Sequence, residues 1–204
     1  RGPRSVGTDA RIRPGRTRLG WAMTAYFGTQ ALSAYAIMGW LADLFRDAGY
    51  SPTVAGALLA AVTLIQVPLA LSMATIAVRL PTLRPIVLAL SAASTLAYAG
   101  LAVAPRGGAV VWVTLLAVGQ CAFPLALAAI GLRARTGEGT VALSAFTQSG
   151  GYLIAALGPL VMGLLHDATG AWLAPLGFLF AALVAQTVAG LAIARPRYIE
   201  DEPA

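Results

Sequence analysis

Residues 139–165 read GTVALSAFTQSGGYLIAALGPLVMGLL, 27 consecutive residues without a charge. An α-helix rises 1.5 Å per residue and the hydrocarbon core of a bilayer is about 30 Å thick, so about 20 such residues cross it once. The stretch is long enough for one crossing and too short for two. Working outward, five more uncharged runs divide the chain, at 19–42, 48–78, 85–105, 107–132 and 168–194, with lengths of 24, 31, 21, 26 and 27 residues. The expectation is an all-α membrane protein with six transmembrane helices in residues 19–194, preceded by a segment 1–18 and followed by a tail 195–204.

Strands are excluded because the runs lack the period-two alternation of a barrel wall and are richer in Ala, Leu and Gly than in β-branched or aromatic residues. The breaks between them, Arg46 to Pro52, Arg79 to Pro85, Pro105 to Gly108, Arg133 to Gly139 and His166 to Trp172, are short and turn-like. Loops of this length make consecutive helices antiparallel neighbours.

With 58% hydrophobic and 11% charged residues, a soluble domain is ruled out. The 14 basic residues are all Arg and give a formal charge of +6, which suits a nucleic-acid binder only if the charges form a patch. They are sided instead. Twelve precede the first run, separate the second from the third and the fourth from the fifth, or follow the sixth, leaving Arg46 and Arg106 on the other side. The positive-inside rule then puts both termini in the cytoplasm of a multi-pass protein of the inner (plasma) membrane, with the lipid bilayer as partner and no nucleic acid. The lone Cys121 excludes an internal disulfide and a Cys-based metal site, and no metal or cofactor is expected. Residues 1–18 lack an initiator Met and any apolar periodicity, and read as a cytoplasmic linker that something precedes.

Polar residues within the runs are placed with a pattern. Gln30, Gln66 and Gln120 fall near the middles of the first, second and fourth runs, and Gln148 in the cytoplasmic half of the fifth. A buried amide without a partner costs about 1–3 kcal/mol, so these four pair across helices or line a wet cavity, and the cavity is the expectation. Tyr26, Thr29 and Ser33 share a face with Gln30, as Ser144, Thr147 and Gly151 do with Gln148, while Ser91, Ser94, Thr95 and Tyr98 stripe the third run. Small residues such as Gly119, Gly150, Gly151, Gly158 and Gly163 are read as helix-packing surface, and Gln186 as structural. No Asp, Glu, Arg or His lies inside a run, so these spans hold no titratable group for proton coupling. Pro68, Pro124 and Pro159 each remove a helix hydrogen bond and permit a kink.

Two stretches carry a family resemblance. One is Gly28, Gln30 and Tyr35, then Gly39-Trp40-Leu41, Gly49, Ser51 and Ala55-Gly56; the other is Gln148-Ser149-Gly150-Gly151-Tyr152, Ala155-Ala156, Gly158-Pro159, Gly163, His166-Asp167, Thr169-Gly170 and Trp172. They resemble the seventh and eleventh helices, with their exit loops, of the major facilitator superfamily, and within it the cyanate permease and nitroimidazole transporter family. Ala42 stands where that family often has a Pro. The resemblance implies the C-terminal six-helix half of a secondary active, alternating-access transporter, with an N-terminal six-helix half as the missing partner. It also implies a small polar or anionic solute bound at the midplane, with Gln30, Tyr26 and Tyr35 as contacts from the first helix and Gln148, Ser149 and Tyr152 from the fifth. Gln66 and Gln120 join them as further candidates.

Two other readings compete with this one. A self-contained six-helix protein would have to supply both walls of a cavity by dimerising. An intramembrane hydrolase would need Ser149 near His166, yet 17 residues of one helix separate the two by roughly 25 Å. His166 and Asp167 read better as a loop cap at the outer face.

Overall fold

The computed structural model describes residues 12–202. Residues 1–11 of the expected linker, with Arg1, Arg4 and Arg11, and the last two residues of the tail lie outside the described residues.

Among the described residues the chain forms eight α-helices: α1 (Arg18–Asp47), α2 (Pro52–Arg79), α3 (Arg84–Val103), α4 (Ala109–Gln120), α5 (Ala122–Leu132), α6 (Gly137–Ala155), α7 (Leu157–Thr169) and α8 (Leu173–Ile193). Local chemistry sets their ends. The hydroxyls of Thr17, Ser51 and Thr136 accept the N–H groups of Gly20, Val54 and Gly139, capping α1, α2 and α6. Pro52 occupies the first turn of α2, where its missing N–H is harmless. Gly170 ends α7 in the left-handed region, φ +62°, with its N–H on the His166 carbonyl.

The eight helices reduce to six rods, because α4 runs into α5 through Cys121 alone and α6 into α7 through Ala156 alone. A proline causes each break. Pro124 and Pro159 carry no N–H for the carbonyls four residues back, those of Gln120 and Ala155, and these are the last residues of α4 and α6. Pro68 sits inside α2 without interrupting it.

Five rods are long and apolar enough to cross a membrane: α2, α3, α4 with α5, α6 with α7, and α8. The expected first span, α1, is not among these five. The reason is composition, since Thr24, Thr29, Gln30 and Ser33 make α1 the least apolar rod, and its surroundings accommodate this. Sixteen of its 30 residues are buried, including Thr24, Gln30 and Ser33, and it packs on α2, α5, α6, α7 and α8. In α2, only Ala55, Val62, Met73 and Ala77 of 28 residues are buried. So α1 is the interior helix, free to carry polar side chains toward protein, while α2 shows an apolar surface outward.

Close approach at small residues seats α6 and α7 on α1. A Cβ on Gly151 would strike the Phe27 ring, and one on Gly158 would strike the Leu32 backbone carbonyl. A side chain can turn aside, but a helical carbonyl cannot. Gly158→Ala is therefore expected to destabilise the bundle by about 1–3 kcal/mol through overpacking, even though Ala is the better helix former by about 1 kcal/mol. Gly177→Ala, where a Cβ meets nothing within 4 Å, should be neutral or stabilising. Unfolding of the two variants in detergent checks the contrast, and equal stability of both would contradict it.

Nine of the eleven described arginines gather at one end of the bundle, where α1, α3 and α6 begin and α2, α5 and α8 end; Arg46 and Arg106 lie at the other. The arginine end is tied by hydrogen bonds. Arg133, 5% exposed, donates from its guanidinium to the carbonyls of Ile193, Leu132 and Ala194 at 2.9, 3.2 and 3.1 Å. Ala194 also accepts the N–H of Leu83 and the hydroxyl of Thr82. The tail then folds back as a short 3-10 turn, Ile199–Asp201, with Ile199 buried and its N–H on the Arg133 carbonyl. Glu200 accepts the N–H groups of Arg135 and Thr136 and the Thr136 hydroxyl, Asp201 takes Arg135 in a two-pronged ion pair, and Glu202 accepts the N–H of Leu19. Burial pushes the Glu200 carboxyl up, but these hydrogen bonds to its ionised form outweigh it and hold the pKa below the usual value.

At the opposite end, the His166 ring stacks on Trp172 with centroids 4.1 Å apart. Asp47 accepts the Trp172 indole N–H at 2.9 Å and lies 3.8 Å from His166 Nε2.

Candidate solute-binding site

Two apolar cores fill the bundle. One, around Phe27, Leu125 and Leu143, lies toward the arginine end; the other, around Phe45, Leu116 and Leu179, lies toward the far end. Between them runs a layer of amides. Gln186 on α8 donates to Gln30 Oε1 at 2.9 Å, Gln30 on α1 donates to Gln120 Oε1 at 2.7 Å, and Gln66 on α2 donates to the Gln120 backbone carbonyl at 3.2 Å. That carbonyl is the one Pro124 leaves without a helical donor. The proline thus creates an acceptor at the depth where a glutamine from the neighbouring helix can reach it.

Gln30, Gln120 and Gln186 are 2, 5 and 3% exposed, so the layer begins as a buried, mutually satisfied network and comes to the surface at Gln66, which is half-buried. It emerges in a cleft of about 260 Å³ between α1, α2 and the α4–α5 break. Tyr35, Met38, Thr63, Gln66, Gln120 and Phe123 are prominent in its wall. The cleft wall offers aromatic faces, two amides and hydroxyls, with no charge. Such a set can hydrogen-bond a small polar solute and stack against a flat one.

The structure therefore brings Gln30, Gln66, Gln120 and Tyr35 together, with Gln30 behind the wall. It also brings in Gln186, which the sequence reading set aside as structural. Tyr26 is not part of this group: it is 1% exposed, turned toward α8 beside Gly190, and its hydroxyl has no partner among the described residues. The α6 candidates form a second group. Gln148 donates to Ser144 on its own helix at 2.6 Å, Ser149 is exposed, and Tyr152 is 42% exposed. The Phe27 ring separates the groups, meeting Tyr152 edge-on at 5.2 Å and the cleft residue Phe123 at 5.3 Å. Ser149 and His166 lie on the separate helices α6 and α7, and His166 is engaged with Trp172 and Asp47, which leaves no serine–histidine pair.

The chain is 32% identical over 188 residues, 90% of its length, to the uncharacterized transporter YycB of Bacillus subtilis. It is 35% identical over 162 residues, 79% of its length, to the 2-nitroimidazole transporter of Escherichia coli. It spans 46% and 41% of those two proteins, about half of each. No family model and no solved structure matches the chain. Multiple apolar helices make the chain a multi-pass membrane protein, and it is homologous to the YycB and 2-nitroimidazole transporters over about half the length of each.

Proposed function

We propose that the chain supplies the C-terminal, six-span half of a secondary active, alternating-access transporter for a small polar or anionic solute, in the inner membrane with its arginine end in the cytoplasm. The observation that carries this reading is the amide layer opening into the cleft beside α1, in a chain matching about half the length of its transporter relatives. In this reading α1 is the first of six spans, joining the five apolar rods; its 30 residues give a length of about 45 Å, ample for a crossing. The N-terminal half comes from sequence outside this chain and closes the cleft.

Gln66 and Tyr35 meet the solute, Gln120 positions Gln66 through its freed carbonyl, and Gln30 fixes Gln120. Gln148, Ser149 and Tyr152 lie on the α6 surface turned toward the partner half. A planar heteroaromatic bearing a polar group, as in the name of the Escherichia coli relative, suits a wall that combines Phe123 and Tyr35 with two amides.

The test is uptake in the full-length protein. Gln66→Ala, which removes one half-buried donor and leaves the buried Gln30–Gln120–Gln186 bonds intact, should lower kcat/KM for uptake about tenfold or more, the equivalent of one lost hydrogen bond of about 1.4 kcal/mol. Gln148→Ala should act in the same direction. Membrane insertion and melting should not change in either variant. Uptake at the parental rate in both would remove the site assignment.

A further inference from the structure

We propose that the groove at the arginine end of α1, α3 and α8 binds the phosphate headgroup of an anionic phospholipid. The groove has a volume of about 670 Å³ and is lined by Arg18 and Arg84, the first residues of α1 and α3, and by Arg195 and Arg197, just past α8. Each of the four is exposed, and none forms an ion pair among the described residues, where the pairs are Arg46 with Asp43, Arg135 with Asp201 and His166 with Asp47. Four guanidiniums around one concavity repel one another unless an anion sits between them. The one carboxylate in the lining, Glu202, is held on the N–H of Leu19 at 3.1 Å. Counting it, the groove keeps a formal charge of +3.

The floor decides what kind of phosphate fits. Between the arginines it is apolar, made by Ala22 and Leu191 on the seam of α1 and α8. Of the two, α8 is a rod apolar enough to cross a membrane and runs from there inward, so the groove sits at the level of the headgroups and opens along an apolar seam that an acyl chain can follow. A soluble phosphate would use the arginines and leave the seam uncovered. A phosphatidylglycerol-type lipid uses both, with guanidinium forks on the phosphodiester and hydrocarbon on the seam. The inference rests on the membrane embedding of the helices and not on the solute reading, so either can fail without the other.

Native mass spectrometry of the detergent-solubilised protein, titrated with phosphatidylglycerol or phosphatidylcholine, tests it. The parent should retain phosphatidylglycerol in preference. The triple variant Arg84→Gln, Arg195→Gln, Arg197→Gln should lose that preference by roughly a hundredfold, three basic contacts at about fivefold each. The corresponding triple Lys variant, which keeps the charge, should retain most of it. Arg46→Gln with Arg106→Gln, at the far end, should leave it unchanged. If the triple Gln variant fails to fold, Arg197→Gln alone should still reduce the preference about fivefold. Phosphatidylglycerol binding unaltered in the Gln variants, or lost equally in the far-end pair, overturns the proposal. Displacement of the lipid by millimolar inorganic phosphate also overturns it, in favour of a soluble anion.

Discussion

Arg133→Ala is expected to lower the stability of the detergent-solubilised protein by about 3 kcal/mol or more. The guanidinium is almost wholly buried, yet among the described residues it forms no ion pair: it donates to the carbonyls of Ile193, Leu132 and Ala194. Hydrogen bonds that involve a charged group contribute about 1.5–3 kcal/mol each, and the last carbonyls of a helix are otherwise without donors. Ala194 keeps Leu83 and Thr82 after the substitution, so its share of the loss is small. Ile193 loses its side-chain donor, and the C-terminus of α8 loses its favourable cation. Arg133→Lys should recover less than half, because one ammonium on a flexible stem cannot reproduce a planar fork that reaches the end of α5 and the end of α8 together. Denaturant unfolding of the three proteins measures the effect, and a loss under 1 kcal/mol for Arg133→Ala would show that the carbonyls find water instead.

The second large effect is expected at Gln30. Gln30→Leu strips the acceptor from Gln186 and the donor from Gln120 in one step, leaving two buried polar groups unpaired, and should destabilise the bundle by about 2–4 kcal/mol. Hydrogen bonds between membrane helices are often weaker, averaging about 0.6 kcal/mol, because the partners find substitutes. The glutamines here have few substitutes, since apolar cores lie on both sides of the layer. The sharper readout is therefore coupling. Gln186→Leu added to Gln30→Leu should cost less than the sum of the two single changes, because each removes the group the other orphans. Strict additivity would mean that the two amides do not bond. Uptake should also fall in Gln30→Leu, but as a consequence of lost folding, and this separates its role from that of Gln66.

Much of the architecture was legible because charge is prohibitive in hydrocarbon. The charged breaks at Arg79–Pro85 and Arg133–Gly139 contain the observed turns between α2 and α3 and between α5 and α6, and of the three prolines within runs Pro124 and Pro159 interrupt their helices while Pro68 does not. The central depth of Gln30, Gln66 and Gln120 was readable from distance along each run. Their pairing was not, since it depends on how each helix is rotated about its axis. For the same reason Gln186 looked isolated on an otherwise apolar helix, and Tyr26, on the helix face shared with Gln30, points into α8 instead. Gln148 shows the opposite case: Ser144, four residues back on the same helix, was available as a partner from spacing alone. The folded tail escaped notice because charged ends are usually solvated. Its signal was complementarity, with Glu200, Asp201 and Glu202 at one end of the sequence and Arg133 and Arg135 at a turn on the same side.

That tail has a mechanical consequence. Glu202 grips the first turn of α1, while Glu200 and Asp201 grip the residues just before α6. The two helices that carry Gln30 and Gln148 are yoked at their starting points by three consecutive residues, with almost no slack in the tether. Were α1 and α6 to splay, the tail would hold their starting points together and confine the opening to the far end, where it does not reach.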